Sequence, residues 1–93
     1  MIYHVVLFRL HRPEDIEATA GVLRAMEGQI PTLRVLRVGI EEKRSDRSSD
    51  IALITGFDDY EGLEAYAGHP VHLKVLDHMR TVVAESRTVD WTS

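Results

Sequence analysis

Five histidines in a chain of 93 residues that has no cysteine are the side chains best suited to chemistry near neutral pH, because imidazole can give or take a proton there. His72 stands three residues after His69 and just beyond Pro70, and Tyr66 precedes it by less than two helical turns. A base that removes a proton alpha to a carbonyl needs a pKa near the working pH. A tyrosine hydroxyl beside it can donate a hydrogen bond to the developing enolate oxygen or orient the ring. The same residues also suit a plainer role, in which His72 bonds a backbone carbonyl and fixes the junction between two helices. His4 is the polar exception in the apolar run Ile2 to Leu10. A buried imidazole needs partners for its ring nitrogens, and His72, Tyr66 and Asp90 are the candidates; a satisfied core histidine fits the same facts. His69 reads as a structural residue entering the Pro70 turn. His11 and His78 follow no pattern and read as surface residues.

Metal and phosphate chemistry find less support. His69 and His72 could both reach one ion, but there is no His-Glu-x-x-His arrangement and no thiolate ligand, so no metal is expected. No glycine-rich phosphate loop appears, no serine is set beside a base, and Ser48-Ser49 is loop composition. The expectation is a site that needs no cofactor.

These residues must be positioned by a small number of elements. Ile2 to Leu10 is rich in β-branched and aromatic residues and has no turn former, so it reads as a strand. Its even positions (Ile2, His4, Val6, Phe8, Leu10) and its odd positions (Tyr3, Val5, Leu7, Arg9) are both mainly apolar, which predicts cover on both faces. Pro13 with Glu14 and Asp15 opens a helix, proline suiting the first helical position and acids the positive end of the dipole. Ile16, Ala20, Leu23, Met26 or Glu27, and Ile30 fall on one helical face, with Gly28 at the frayed end and Pro31 as the stop. Leu33 to Glu42 alternates as a second strand, and 43–50 is a polar, serine-rich connection that reads as mobile. Ile51 to Phe57 is a third strand, again apolar on both sides. Asp58-Asp59 can cap a short helix from Tyr60 to Ala67, and Gly68 suits a left-handed position after it. Pro70 starts a last helix with the stripe Val71, Val75, Leu76, Met79, Val82 and Val83. Arg87 to Thr92 is a final strand with Arg87, Val89 and Trp91 on one face.

The order is β-α-β-β-α-β with the second helical element broken in two, a ferredoxin-like α+β arrangement with a four-stranded antiparallel sheet and helices on one face. One domain, 1–93, accounts for the length. Helices cover only one face of such a sheet, yet the first and third strands are apolar on both. No second layer remains in the chain, so the bare face calls for a partner, most simply a second copy packed sheet to sheet, enclosing a barrel-like cavity. A domain this small buries only about 60–65% of its unfolded surface, which also favours association.

Charge narrows the partners. There are 11 Lys+Arg against 15 Asp+Glu, a formal net charge of −4, which argues against nucleic acid, whose affinity rests on clustered cations. The one basic cluster, Lys43-Arg44 with Arg47, is interrupted by Asp46 and Asp50. No stretch reaches the roughly 18 apolar residues of a membrane span. The opening run has its basic residues after it and no small-residue cleavage site, unlike a signal peptide; a cytoplasmic location is expected.

Taken in order, His4-Val5-Val6-Leu7-Phe8, Ile30-Pro31, a strand ending at Gly39, Phe57-Asp58-Asp59 before Leu63-Glu64-Ala65-Tyr66, then His69-Pro70-Val71-His72 and Val89-Asp90 resemble the stress-responsive dimeric α/β-barrel (Dabb) family over nearly the full length. The resemblance implies a homodimer built by sheet-to-sheet packing, with His4 and His72 meeting in one cavity. Plant members similar to olivetolic acid cyclase fold a linear polyketide by intramolecular aldol condensation without a cofactor. On matching positions His72 would be the catalytic base, Tyr66 its hydrogen-bonding neighbour and His4 a wall residue. Asp50 stands about where that cyclase carries another histidine. The resemblance thus implies a cyclase- or lyase-type enzyme acting on a small apolar carbonyl compound. Two alternatives stand beside it: a non-catalytic, stress-associated or ligand-holding dimer, and, by fold analogy alone, a haem-degrading or cofactor-free monooxygenase.

Overall fold

The computed structural model describes residues 1–93. Strand β1 (Ile2–Leu10) leads through a single 3-10 turn at Pro13–Asp15 into helix α1 (Ile16–Arg24), followed by β2 (Val35–Ile40), β3 (Ile51–Phe57), α2 (Tyr60–Ala67), α3 (Pro70–Val82) and β4 (Val83–Thr92). The four strands form one antiparallel sheet in the order β2-β3-β1-β4, the ferredoxin-like arrangement expected from the sequence.

Register decides which side chains meet. Pairing Ile2 with Phe57, His4 with Thr55, Val6 with Leu53 and Phe8 with Ile51 puts the even positions of β1 and the odd positions of β3 on one face, because side chains alternate along a strand. That face carries the core: Val6, Leu10, Ile51, Leu53 and Phe57 are all buried against the helices. The other face shows Tyr3, Val5, Leu7, Ala52, Ile54, Val89 and Trp91, and no element of the chain covers it. Leu7 and Trp91 are each 41% exposed and Val89 is 62% exposed.

The helices follow their local chemistry, with some differences from expectation. The apolar stripe of α1 was expected to carry helix toward Gly28, but α1 ends at Arg24. The amides of Met26, Glu27 and Gln29 bond back three residues to Leu23, Arg24 and Met26. Such tight turns satisfy terminal carbonyls while keeping residues on the same side, so Met26 and Ile30 still reach the core. Gly28, at φ 78°, takes the left-handed conformation that glycine tolerates best. Asp59 caps α2 by accepting the Gly62 amide at 2.8 Å. Gly68 is not left-handed, as was expected, but lies at φ −93°. The chain passes at once into α3, with the Gly68 and His69 amides bonded to the Glu64 and Tyr66 carbonyls. At the far end, Val83 belongs to β4 rather than to the α3 stripe. Its amide still bonds the Met79 carbonyl while its own backbone is extended, so α3 hands directly to β4 without a loop.

The polar connection 43–50, expected to be mobile, is tied down. The Asp50 carboxylate accepts the Leu10 amide at 2.7 Å and a bond from Arg44, and the Asp50 amide donates to the Phe8 carbonyl at 2.7 Å. Ser48 donates to Glu41. Burial pushes the Asp50 carboxyl up, but the Leu10 amide and the Arg44 guanidinium outweigh it and hold the group below its ordinary value.

Candidate functional site

The core-facing side of β1 and the start of α3 enclose a cavity of about 230 Å³. His4, Tyr66 and His72 all line it, together with an apolar wall that includes Leu53, Leu76 and Met79. The three residues singled out in the sequence are therefore brought together, but not where sheet-to-sheet packing would place them. The cavity lies inside one chain, between the sheet and the helices, because His4 sits at an even position of β1 and even positions face the helices.

Each side chain reaches the cavity by a local device. His69 is the N-cap of α3, its ring Nδ1 accepting the Val71 amide at 3.1 Å, and Pro70 takes the first helical position. This spends the His69 acceptor on the helix end, where an unpaired amide would otherwise remain, and leaves His72 in the first turn. The Nδ1–H of His72 donates to the Ala67 carbonyl at 2.9 Å, so Nε2 is the free ring nitrogen, a lone-pair acceptor when the ring is neutral. Burial lowers the His72 pKa below its ordinary value, and the neighbouring His4 lowers it further against the opposing pull of the Ala67 carbonyl. A neutral imidazole in this position can act as a base.

Tyr66, near the end of α2, is only 2% exposed. Its ring packs against Phe57 with centroids 5.0 Å apart and against His72 at 4.3 Å. No buried side-chain polar atom is left without a partner, and the hydroxyl, which bonds no other group of the chain, therefore reaches the cavity surface. Burial pushes its pKa up to about 12. It keeps its proton at neutral pH and is a hydrogen-bond donor, not a base.

His4 pairs with Asp90 across the β1–β4 ladder. A carboxylate only accepts, so Nδ1 of His4 carries the hydrogen and its Nε2 is the remaining ring atom. Of the three candidate partners of His4, Asp90 is the one that bonds. Neither His72 nor Tyr66 hydrogen-bonds His4. The residue missed in the sequence is Ser86, which also lines the cavity. Its signal was the strand alternation that puts it on the same face as Asp90, hidden because the strand was expected to begin only at Arg87.

The other histidines separate cleanly from this group. His78, expected at the surface, is half-buried and bonds Thr19 of α1 at 3.0 Å, ring Nε2 to hydroxyl. His11 is exposed. Asp50 lies at the far end of β1 and does not line the cavity. No three His, Asp or Glu side chains converge as metal ligands.

A family model described as the stress responsive A/B barrel domain matches residues 2–93. The chain belongs to this Dabb family. Among solved structures, this Dabb chain is similar to a dimeric ferredoxin-like protein of unknown function from Thermobifida fusca, with 25% identity, a TM-score of 0.88, and 99% of this chain and 90% of that one covered. It is also similar in fold to an antibiotic biosynthesis monooxygenase at 12% identity and TM-score 0.81, covering 100% and 98%. A third likeness is to the hydroxynitrile lyase from Passiflora edulis, at 10% identity and TM-score 0.81, covering 97% and 90%. Comparison with curated proteins gives no significant match. No helix of this Dabb domain is long and apolar enough to cross a membrane.

Proposed function

We propose that this Dabb domain is a cofactor-independent proton-transfer enzyme of the cyclase or lyase type, acting on a small apolar carbonyl compound held in the cavity. The observation that carries the reading is the state of His72: its Nδ1–H is committed to the Ala67 carbonyl and its pKa is lowered by burial. Nε2 is then an unprotonated base beside a tyrosine hydroxyl that stays protonated. Nε2 takes the proton alpha to the carbonyl, so a C–H bond breaks and an N–H bond forms. The electron pair moves onto the carbonyl oxygen, where Tyr66 donates a hydrogen bond and His4, held by Asp90, positions the substrate. In a cyclase the enolate carbon then attacks a second carbonyl of the same molecule, and the proton on His72 passes to the new alkoxide.

The same reading includes a homodimer joined through the bare face of the sheet. Contiguous exposed apolar surface marks an interaction site, and the Thermobifida fusca relative is described as dimeric.

The test is His72→Gln, assayed against a panel of straight-chain and aromatic carbonyl compounds. The expected result is a loss of turnover of about 10²- to 10⁴-fold, the usual worth of a positioned acid or base, with the melting temperature nearly unchanged. If the wild-type protein turns nothing over, and His72→Ala, which lacks any donor for the Ala67 carbonyl, loses about 1–3 kcal/mol of stability, His72 is structural and the protein is a ligand-holding dimer. Turnover that consumes dioxygen would place it with the monooxygenases instead.

A further inference from the structure

The cavity has two polar poles, and only one of them is used by the chemistry proposed above. On the helix-facing side of β4, Asp90 stands opposite His4 and Ser86 stands opposite Phe8. Four residues of strand separate them, roughly 13 Å at about 3.3 Å per residue. Between the poles the wall is apolar, with Val6, Leu53, Leu76 and Met79. Ser86 is exposed and its hydroxyl bonds no group of the chain, so it stands at the mouth with both its donor and its acceptors free. No lysine, arginine, aspartate or glutamate lines the cavity; a charged ligand would lose its hydration there and meet only a few polar groups and no carboxylate, ammonium or guanidinium counter-charge.

We propose that Ser86 is a specificity-determining residue that reads the far end of the ligand, and that the ligand class is a neutral, extended molecule with a carbonyl at the histidine pole and a hydrogen-bonding group at the other end. This rests on the reading of the cavity as a carbonyl-binding site. Size agrees with it. A cavity of about 230 Å³ would hold eight liquid waters at about 30 Å³ each, and covalently bonded atoms pack closer, giving roughly a dozen non-hydrogen atoms. An extended chain gains about 1.2 Å per bond, judged from the backbone, so a dozen atoms in line span about the separation of the poles.

The experiment uses two probes: an eleven-carbon straight-chain 2,4-diketone, and the same molecule with a hydroxyl on its far terminal carbon, about 12 Å from the carbonyl nearer the chain end at about 1.2 Å per bond. Binding to the intact protein is measured by calorimetry, with the His4 and His72 ring resonances followed by NMR to locate the probe. The wild type is expected to bind the hydroxylated probe up to about tenfold more tightly, the usual net gain from one hydrogen bond. Ser86→Ala should abolish that preference while leaving the plain diketone unchanged, and Ser86→Thr should keep it. Equal binding of the two probes to the wild type, or a preference that survives in Ser86→Ala, overturns the role of Ser86 and leaves the carbonyl site standing. Failure of both probes to bind, or binding that leaves both histidine resonances unmoved, overturns the carbonyl site and the role of Ser86 together.

Discussion

The two faces of the sheet are built from the same strands and from similar residues, yet they have opposite fates. On the helix side, Leu53 and Phe57 are sealed, and the space left over is a cavity with four polar residues, His4, Tyr66, His72 and Ser86. On the other side Leu7, Val89 and Trp91 stand in the open. Composition does not distinguish the faces; what covers them does. One face is completed by the chain itself and can hold a site within a single protomer. The other is left bare by the chain and, in the proposed homodimer, is covered by a second molecule. On the proposed reading, assembly and chemistry lie on opposite faces of the sheet, and substitutions on one face should leave the other in place.

The largest effect is expected in the sealed face. Phe57→Ala removes a side chain with no exposed surface that also supports the Tyr66 ring, and should cost about 3–5 kcal/mol. Denaturant unfolding would show it, and a loss below 1 kcal/mol would mean the core relaxes around the hole. Trp91→Ala, on the bare face, removes an aromatic stacked on Tyr3 at 5.4 Å. It should weaken self-association by about 2 kcal/mol, near 30-fold in Kd, without changing ligand affinity. Sedimentation equilibrium measures the first and calorimetry the second; a drop in both would erase the distinction between the faces. Gly56→Ala is smaller. Its Cβ would meet the Val35 Cβ at 2.9 Å, and pushing β2 aside should cost about 1–3 kcal/mol, read as a shift in the unfolding midpoint.

The smallest effect is a pH dependence confined to the cavity face. The folded pKa of His72 is lowered, so between that value and the unfolded value near 6.5 the unfolded chain binds more protons. Stability from this group is therefore complete above about pH 6.5 and is lost as the pH falls through the lowered folded value. Wild type should lose more stability than His72→Gln on acidification from neutral pH, and parallel curves for the two proteins would show that His72 does not carry the effect.

Much of this was legible in the sequence. The two-faced apolar alternation of β1 and β3, and the Pro70 start that puts His72 in a first turn, come directly from residue type and spacing. What was hidden follows from neighbours that a linear reading does not see. His78 lacks a partner in sequence, and its partner Thr19 sits on another helix. Ala84 to Ser86 carry no apolar alternation because β4 is an edge strand, exposed from Glu85 onward, so the strand looks shorter in sequence than it is and Ser86 is not evident. The cavity was expected between two sheets because both faces of β1 were apolar. Only the register shows that His4 points to the helices.

The direct passage from α3 into β4 has a kinetic consequence. Both cavity walls meet at Val82-Val83 without a linker, and the other end of α3 is held by the His69 cap. Such a frame has no segment that can swing as a lid. Exchange of the cavity's contents must then depend on side-chain rotations at the mouth, which take picoseconds to nanoseconds when exposed. A lid-closure step on the microsecond-to-millisecond scale is therefore not expected where α3 meets β4, and the residence time of a ligand should follow its affinity rather than a gating motion.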